Sequence, residues 1–243
     1  MEPSQFAFRT ADKEIIVGPT PLVVGTLSSL SSNLAARKYQ GACDIVEVRL
    51  DRAPAAEDWR ERCQRIESLG WPVLLTLRLR GEGGNWTGSD SSRQPAFVWA
   101  LQWLSAIDVE LGSRLAAPLA KLAKKLGKIC IVSYHDFDKT PPLRGLEAIV
   151  SKAQRLDSIV KISTKICDES DLNTLRSLLA KKWKRPLCVI GMGADWKDSR
   201  VLLAREGSCL TYGYLDKPAA PGQIPARQLM KKLGKGVGSR VRH

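Results

Sequence analysis

In the stretch IVEVRLD, alternation puts Glu47, Arg49 and Asp51 on one face of an extended segment and Val46, Val48 and Leu50 on the other. The pattern recurs. Thr76, Arg78 and Arg80 share a face in LLTLRLR, Ser133 and His135 in IVSYH, and Lys161, Ser163 and Lys165 in IVKISTK. His135 is one of only two histidines in 243 residues, the other being the terminal His243. Arginines gathered in one place suit an anionic, oxygen-rich substrate, because a guanidinium grips carboxylate with two parallel bonds. A lysine set among them in a partly desolvated mouth gives up its proton more readily, and the neutral amine attacks carbonyl carbon. A neighbouring histidine moves protons near neutral pH. No His/Cys/carboxylate cluster offers a metal site, so the lysine is the electrophilic device. The combination describes imine (Schiff-base) chemistry on a keto acid, and both an aldolase and a dehydratase satisfy it. Lys161 and Lys165 lie on the same face, and physics alone does not choose between them.

These residues need a frame that brings four strand ends together. Apolar runs rich in Val, Ile and Leu recur at 21–27, 43–50, 72–78, 107–111, 128–135, 158–165, 186–193 and 209–214. The fourth is the weakest and merges with the helical segment before it. Helical periodicity falls between the runs. In EDWRERCQRIESLG, Trp59, Cys63, Ile66 and Leu69 form one stripe that Gly70 stops, and SRLAAPLAKLAKKLG ends in the same way at Gly127. Strict β/α alternation implies a parallel sheet, and eight units in this length fit a closed (β/α)8 TIM barrel better than an open sheet. No glycine-rich fingerprint follows the first strand, which argues against dinucleotide binding. Residues 1–20 read as a short β-hairpin around Ala11, Asp12 and Lys13, able to plug the N-terminal end of the barrel. With no internal linker, residues 1–243 read as one α/β domain. Strands covered on both faces should be apolar throughout. Four that carry charge near their C-terminal ends put it where barrel enzymes keep their active sites.

Composition narrows the setting. The chain is 44% hydrophobic, with no h-region at its start and no apolar run long enough to span a bilayer. The six cysteines are scattered without a CxxC pair, which suggests buried thiols in a reducing compartment, the cytoplasm. Net charge is +13, densest in KLAKKLGK, KKWKR and the tail 234–243. The first two read as helix C-termini and the third as a solvated tail.

As an ordered set, DIVEVRLD, TLRLRGEGG, VSYHDFDKTP, VKIS and AAPGQI resemble type I 3-dehydroquinate dehydratase of the shikimate pathway, from about Pro21 to Ile224. The resemblance implies a (β/α)8 barrel, usually a homodimer, that needs no cofactor and eliminates water from 3-dehydroquinate through an imine to give 3-dehydroshikimate. It selects Lys161 as the imine-forming lysine and His135 as the proton donor and acceptor. Glu82 becomes the carboxylate that orients His135. Glu47, Arg49 and Arg78 become substrate-binding residues around the ring hydroxyls, while Arg200 and Gln223 hold the substrate carboxylate and close over it. The DKPAAPGQ loop is then a lid. Two positions depart from the family: Ala219 replaces a frequent serine in the lid, and Gly25 stands where a serine often lies. The alternatives are another imine-forming, aldolase-like barrel enzyme and a basic nucleic-acid-binding protein. The expected partner is the small-molecule substrate, with neither nucleic acid nor membrane.

Overall fold

The computed structural model describes residues 6–30, 39–53 and 58–235. Its main sheet has eight parallel strands: β3 (Leu22–Leu27), β4 (Ile45–Arg49), β5 (Val73–Thr76), β6 (Ala106–Glu110), β7 (Ile129–Asp136), β8 (Ile159–Lys165), β9 (Leu187–Met192) and β10 (Leu210–Tyr214). Hydrogen bonding runs β10-β3-β4-β5-β6-β7-β8-β9, which curls the sheet into a nearly closed barrel. At the remaining seam the Cys209 N–H donates to the Leu187 carbonyl at 2.9 Å, and the Ser208 hydroxyl accepts from the Val189 N–H at 2.8 Å. The Ser208 side chain thus adds to a single backbone bond at this seam.

Helices α1 (Trp59–Ser68), α2 (Asp90–Trp103), α3 (Ala116–Lys125), α4 (Leu143–Ala153), α5 (Glu169–Leu179), α6 (Ser199–Arg205) and α7 (Ala226–Lys232) follow β4 to β10 in turn. The helix expected after β3 falls mainly on residues 31–38, outside the described residues. Gly70 and Gly127 adopt φ of +83° and +64°, the left-handed geometry that ends α1 and α3 where the sequence indicated. The α1 stripe is narrower than expected. Cys63 and Ile66 are buried, Trp59 packs edge-on against Trp99, and Leu69 is 48% exposed beyond the last turn. KKWKR lies just past the end of α5 rather than within it, and most of the basic tail, 236–243, is outside the described residues.

The core has two layers. Outward-facing Val23, Val46, Val48, Leu75, Val132 and Val160 pack under the helices. Inward-facing Leu22, Ile45, Leu74, Ala106, Ile129 and Ile159 fill the lower barrel. The N-terminal hairpin, β1 (Ala7–Arg9) paired antiparallel with β2 (Glu14–Ile16), turns through a bond from the Thr10 N–H to the Lys13 carbonyl. Phe8, fully buried, and Ile15 join the inner layer, so the hairpin closes the barrel floor. The weak fourth run is a strand, β6, buried along its whole length. It is separate from α2, which ends at Trp103. Among the described residues no helix is long and apolar enough to cross a membrane.

Candidate active site

The inward positions change character within one step of the period-2 repeat. Ile45 gives way to Glu47, Ala106 to Asp108, Ile159 to Lys161 and Ile131 to Ser133, and all four polar residues are buried. Above them a cavity with about 500 Å³ of empty space opens at the C-terminal ends of the strands. Glu47, Arg49, Arg78, Glu82, His135, Lys161, Arg200 and Gln223 all line it. Every site residue expected from the sequence therefore converges on one pocket. Lys165, four residues beyond Lys161 on β8, is exposed and does not line it, and Arg80 sits in an exposed 3-10 turn (Arg80–Glu82) because β5 ends at Thr76. Geometry thus separates two lysines that alternation left equal.

A buried ion network holds the lysine. Lys161 Nζ donates to Asp108 Oδ2 at 3.0 Å, and its ammonium lies 4.1 Å from the centre of the Tyr212 ring. Arg78 bonds the other Asp108 oxygen at 2.7 Å, the Ser133 hydroxyl at 2.7 Å and Glu110 at 3.1 Å, and the Ser133 hydroxyl donates to Asp108 at 2.6 Å. Burial pushes the Asp108 carboxyl up, but Arg78, Lys161 and His135 outweigh it and hold the group well below the usual carboxylate range. Asp108 and Glu110 were not singled out from the sequence. Their signal was the alternation in IDVEL, the same polar face seen in IVEVRLD. The mouth is consequently less cationic than its arginines suggested, since Arg78 is locked to two acids and Arg49 to Asp51 through two bonds of 2.9 and 2.7 Å.

Arg200 differs. Its guanidinium, 2% exposed, reaches only carbonyl oxygens among its bonds, those of Gly222 at 3.0 Å, Pro221 at 3.2 Å and Tyr212 at 3.3 Å. Burial without a carboxylate partner pulls its pKa down to about 10, so it stays charged at neutral pH. A buried, unneutralised guanidinium facing a cavity is a receptor for an anion.

His135 sits at the end of β7, where its ring Nδ1 lies 2.9 Å from Glu82 Oε2 and its backbone N–H donates to the same oxygen at 3.0 Å. With Glu82 ionised, the ring proton is on Nδ1, which leaves Nε2 as the basic nitrogen. Burial, then the charges of Arg78 and Lys161, pull the His135 pKa well below its ordinary value, so the imidazole is neutral and ready to accept a proton. Burial raises Glu82 to about 7, against the pull of Arg78. The rest of VSYHDFDKTP fixes this corner. Asp136 accepts from the Asp138 and Lys139 N–H groups at 3.0 Å, and the Thr140 hydroxyl donates to the Lys165 carbonyl at 2.7 Å.

Glu47 accepts from the hydroxyls of Thr26 and Thr76, both at 2.9 Å. The loop after β10 closes over one side: Gln223 donates to the Thr26 hydroxyl at 3.2 Å and accepts from the Ala219 N–H at 2.6 Å. The lid thus uses the Ala219 backbone where a serine side chain was expected. Gly25 points away from the cavity, and a methyl group there would meet Cys43 Sγ and Leu215 at 2.8 Å, so outer-layer packing explains the glycine.

Fold and cavity define a (β/α)8-barrel enzyme whose cavity at the C-terminal ends of the strands gathers a lysine, a histidine and three arginines. Residues 20–234 match the model of the type I 3-dehydroquinase family. A 3-dehydroquinate dehydratase of Methanocella arvoryzae is 33% identical over 214 residues, covering 88% of this chain and 95% of the relative. The crystal structure of the Aquifex aeolicus 3-dehydroquinate dehydratase superposes with a TM-score of 0.75 at 31% identity, covering 90% of this chain and 100% of that one. That of the type I enzyme from Clostridium difficile shares the fold, with a TM-score of 0.79 at 24% identity over 95% of this chain and 97% of the other. The chain belongs to the type I 3-dehydroquinase family and is a hydro-lyase.

Proposed function

We propose that the chain dehydrates 3-dehydroquinate through an imine on Lys161, with His135 as the proton carrier. The observation that carries this reading is the placement of Lys161. It is a nearly buried amine in the same cavity as a neutral histidine and an unneutralised arginine.

Arg200 binds the substrate carboxylate beneath the lid, with Gln223 closing over it. Glu47, Arg49 and Arg78 contact the ring hydroxyls, and the pairing of these arginines with acids suits them to neutral groups rather than to a second anion. His135 takes a proton from the Lys161 ammonium, and the freed amine attacks the ketone carbon. A C–N bond forms as the carbonyl π pair moves to oxygen, and loss of water from the carbinolamine gives an iminium. The iminium withdraws electrons from the neighbouring C–H bond, so neutral His135 removes that proton through Nε2. The resulting enamine expels the β-hydroxyl, which leaves as water with the proton His135 now carries. Hydrolysis of the conjugated imine frees the product and the lysine. Glu82 keeps the imidazole in the productive tautomer throughout, by the logic of an acid–histidine pair. Apolar walls from Ile190, Met192 and Phe137 keep the site partly dry, which strengthens each charged contact.

The same reading takes the enzyme as a cofactor-free homodimer of the cytoplasm, supported by the family resemblance and by free thiols, five of them buried. The test is turnover of 3-dehydroquinate followed by the ultraviolet absorbance of the conjugated product. Wild-type protein should give it and Lys161→Ala should not. An unimpaired Lys161→Ala variant overturns the proposal.

A further inference from the structure

Strand β5 ends at Thr76, so no strand ladder supports residues 77–79, yet this short stretch carries Arg78 and leads into the turn that holds Glu82. Two side chains behind the cavity support it instead. Arg93, on α2, is fully buried and does not line the cavity. Its Nη1 donates to the Leu77 carbonyl at 2.6 Å and lies 2.7 Å from Glu110 Oε2. Glu110, at the end of β6, accepts from the Leu79 N–H at 2.9 Å and lies 3.1 Å from Arg78 Nη1. The pair thus grips the backbone on both sides of Arg78. The Leu79 carbonyl in turn accepts from the N–H groups of Glu82 and Gly84, both at 3.0 Å, so the grip extends to the carboxyl that meets His135.

Burying a guanidinium costs free energy, and packing a helix on a barrel does not require one. Here all three nitrogens are committed. Nε and Nη2 donate to Asp90 at 3.1 and 2.7 Å, and Asp90 is itself fixed by the Ser113 hydroxyl and the Arg114 N–H. Charge gives a second reason. Arg78 faces two buried acids, Asp108 and Glu110, with Lys161 and His135 on the Asp108 side. Glu110 Oε2 accepts no hydrogen bond among the described residues, and Arg93 is the cation set against that oxygen. Glu82 feels all of these neighbours: Arg78 favours its ionised form, whereas Glu110 and Asp108 oppose it.

We propose that Arg93 is a positioning residue for the dehydration, acting through Glu110 and the Leu77 carbonyl to set the Arg78 guanidinium and the Glu82 carboxyl at the cavity. The inference rests on the assignment of Glu82 and His135 as the acid–histidine pair. The charge of Arg93 compensates Glu110 from behind, which leaves Arg78 free to favour ionised Asp108 and Glu82. Its planar fork fixes the segment, and a lysine, as a single point charge, lacks the fork that reaches Asp90, Glu110 and the Leu77 carbonyl at once.

The test compares Arg93→Met and Arg93→Lys in the full chain. The readouts are kcat against pH with 3-dehydroquinate, borohydride trapping to count active sites, and thermal melting. In Arg93→Met, kcat per trapped site should fall roughly 10- to 100-fold, the scale of a small misplacement of reacting groups. The rising limb of the pH profile, set by Glu82, should move to higher pH, because the uncompensated Glu110 charge opposes ionisation of its neighbour. Arg93→Lys restores the charge without the fork, so the limb should return to its wild-type position while kcat per site stays below wild type. A merely structural arginine would lower Tm and the number of trapped sites, yet leave the limb and kcat per site unchanged. That result in Arg93→Met overturns the proposal. Should Arg93→Met not fold, Arg93→Lys decides alone, and wild-type kcat per site in that variant overturns it. If Glu82→Gln leaves the limb in place, the Glu82 assignment fails instead, so the two failures are distinguishable.

Discussion

The lower and upper halves of the barrel interior are built from the same strands, two residues apart, yet they obey different physics. Below, Leu22, Ile45, Leu74, Ile129 and Ile159 form one apolar cluster with Phe8. Above, Glu47, Asp108, Arg78 and Lys161 are buried as well, with the half-buried His135 at their rim. Each lower residue gains from leaving water, at about 25 cal/mol per Å² of apolar surface. Each upper charge is tolerated only because a partner has been placed against it, and burying such pairs is neutral to unfavourable for stability. The difference teaches that the hairpin-plugged floor stabilises an upper layer that would not hold itself together. Floor substitutions should therefore act on stability and mouth substitutions on chemistry.

The strongest test of this division is His135→Ala. General acid–base catalysis is worth on the order of 10²–10⁴-fold, so kcat should fall by that range while the circular dichroism spectrum and Tm stay near wild type. Near-normal turnover would erase the functional half of the comparison. Phe8→Ala attacks the other half. It should lose about 3–5 kcal/mol in a denaturant titration, while activity per folded molecule well below the melting point is preserved. A large drop in kcat without destabilisation would show that floor and mouth are not separable. Arg200→Met should raise KM by roughly 10- to 100-fold, as expected for a lost charge-assisted contact of about 1.5–3 kcal/mol, with a smaller effect on kcat. An unchanged KM would mean that the unneutralised guanidinium is not the carboxylate receptor.

The smallest effect concerns Glu82. Its carboxyl ionises at about 7, so activity should climb as pH rises through that value and the charged group fixes the His135 Nδ1–H. Glu82→Gln should flatten this limb and cost a few-fold at pH 8. The stability sign is opposite. Because the folded pKa lies above the ordinary 4.5, the contribution of Glu82 is full below that pH and is lost as pH rises to about 7. Melting curves across this window should show the slope in wild type and not in Glu82→Gln.

Most of this architecture was legible in the residues. All eight barrel strands lie where the β-branched runs put them, because parallel strands covered on both faces leave a nearly continuous apolar signature. Of the eight expected residues that line the cavity, Glu47, Arg49, Arg78, His135 and Lys161 stood out as polar positions on otherwise apolar runs, whereas Glu82, Arg200 and Gln223 came only from the resemblance to the family. What escaped has identifiable causes. Asp108 and Glu110 were hidden in the shortest and most helix-like run, where alternation over five residues is a faint signal. The neutralisation of Arg49 and Arg78 depends on pairings across neighbouring strands that no single segment reveals. Arg93 and the Tyr212 ring escaped because only the three-dimensional packing shows that one is buried against Glu110 and the other meets Lys161. Leu69 and Arg80 were assigned to faces that stop short of them, α1 ending at Ser68 and β5 at Thr76, where hydrogen bonding and not polarity pattern decides the boundary.

The most direct test of the central claim is borohydride reduction in the presence and absence of 3-dehydroquinate, followed by peptide mass mapping. A substrate-dependent adduct on the peptide containing Lys161, located on that residue by fragmentation, is the predicted result. An adduct on Lys165, or no adduct in a preparation that still turns over substrate, would contradict it.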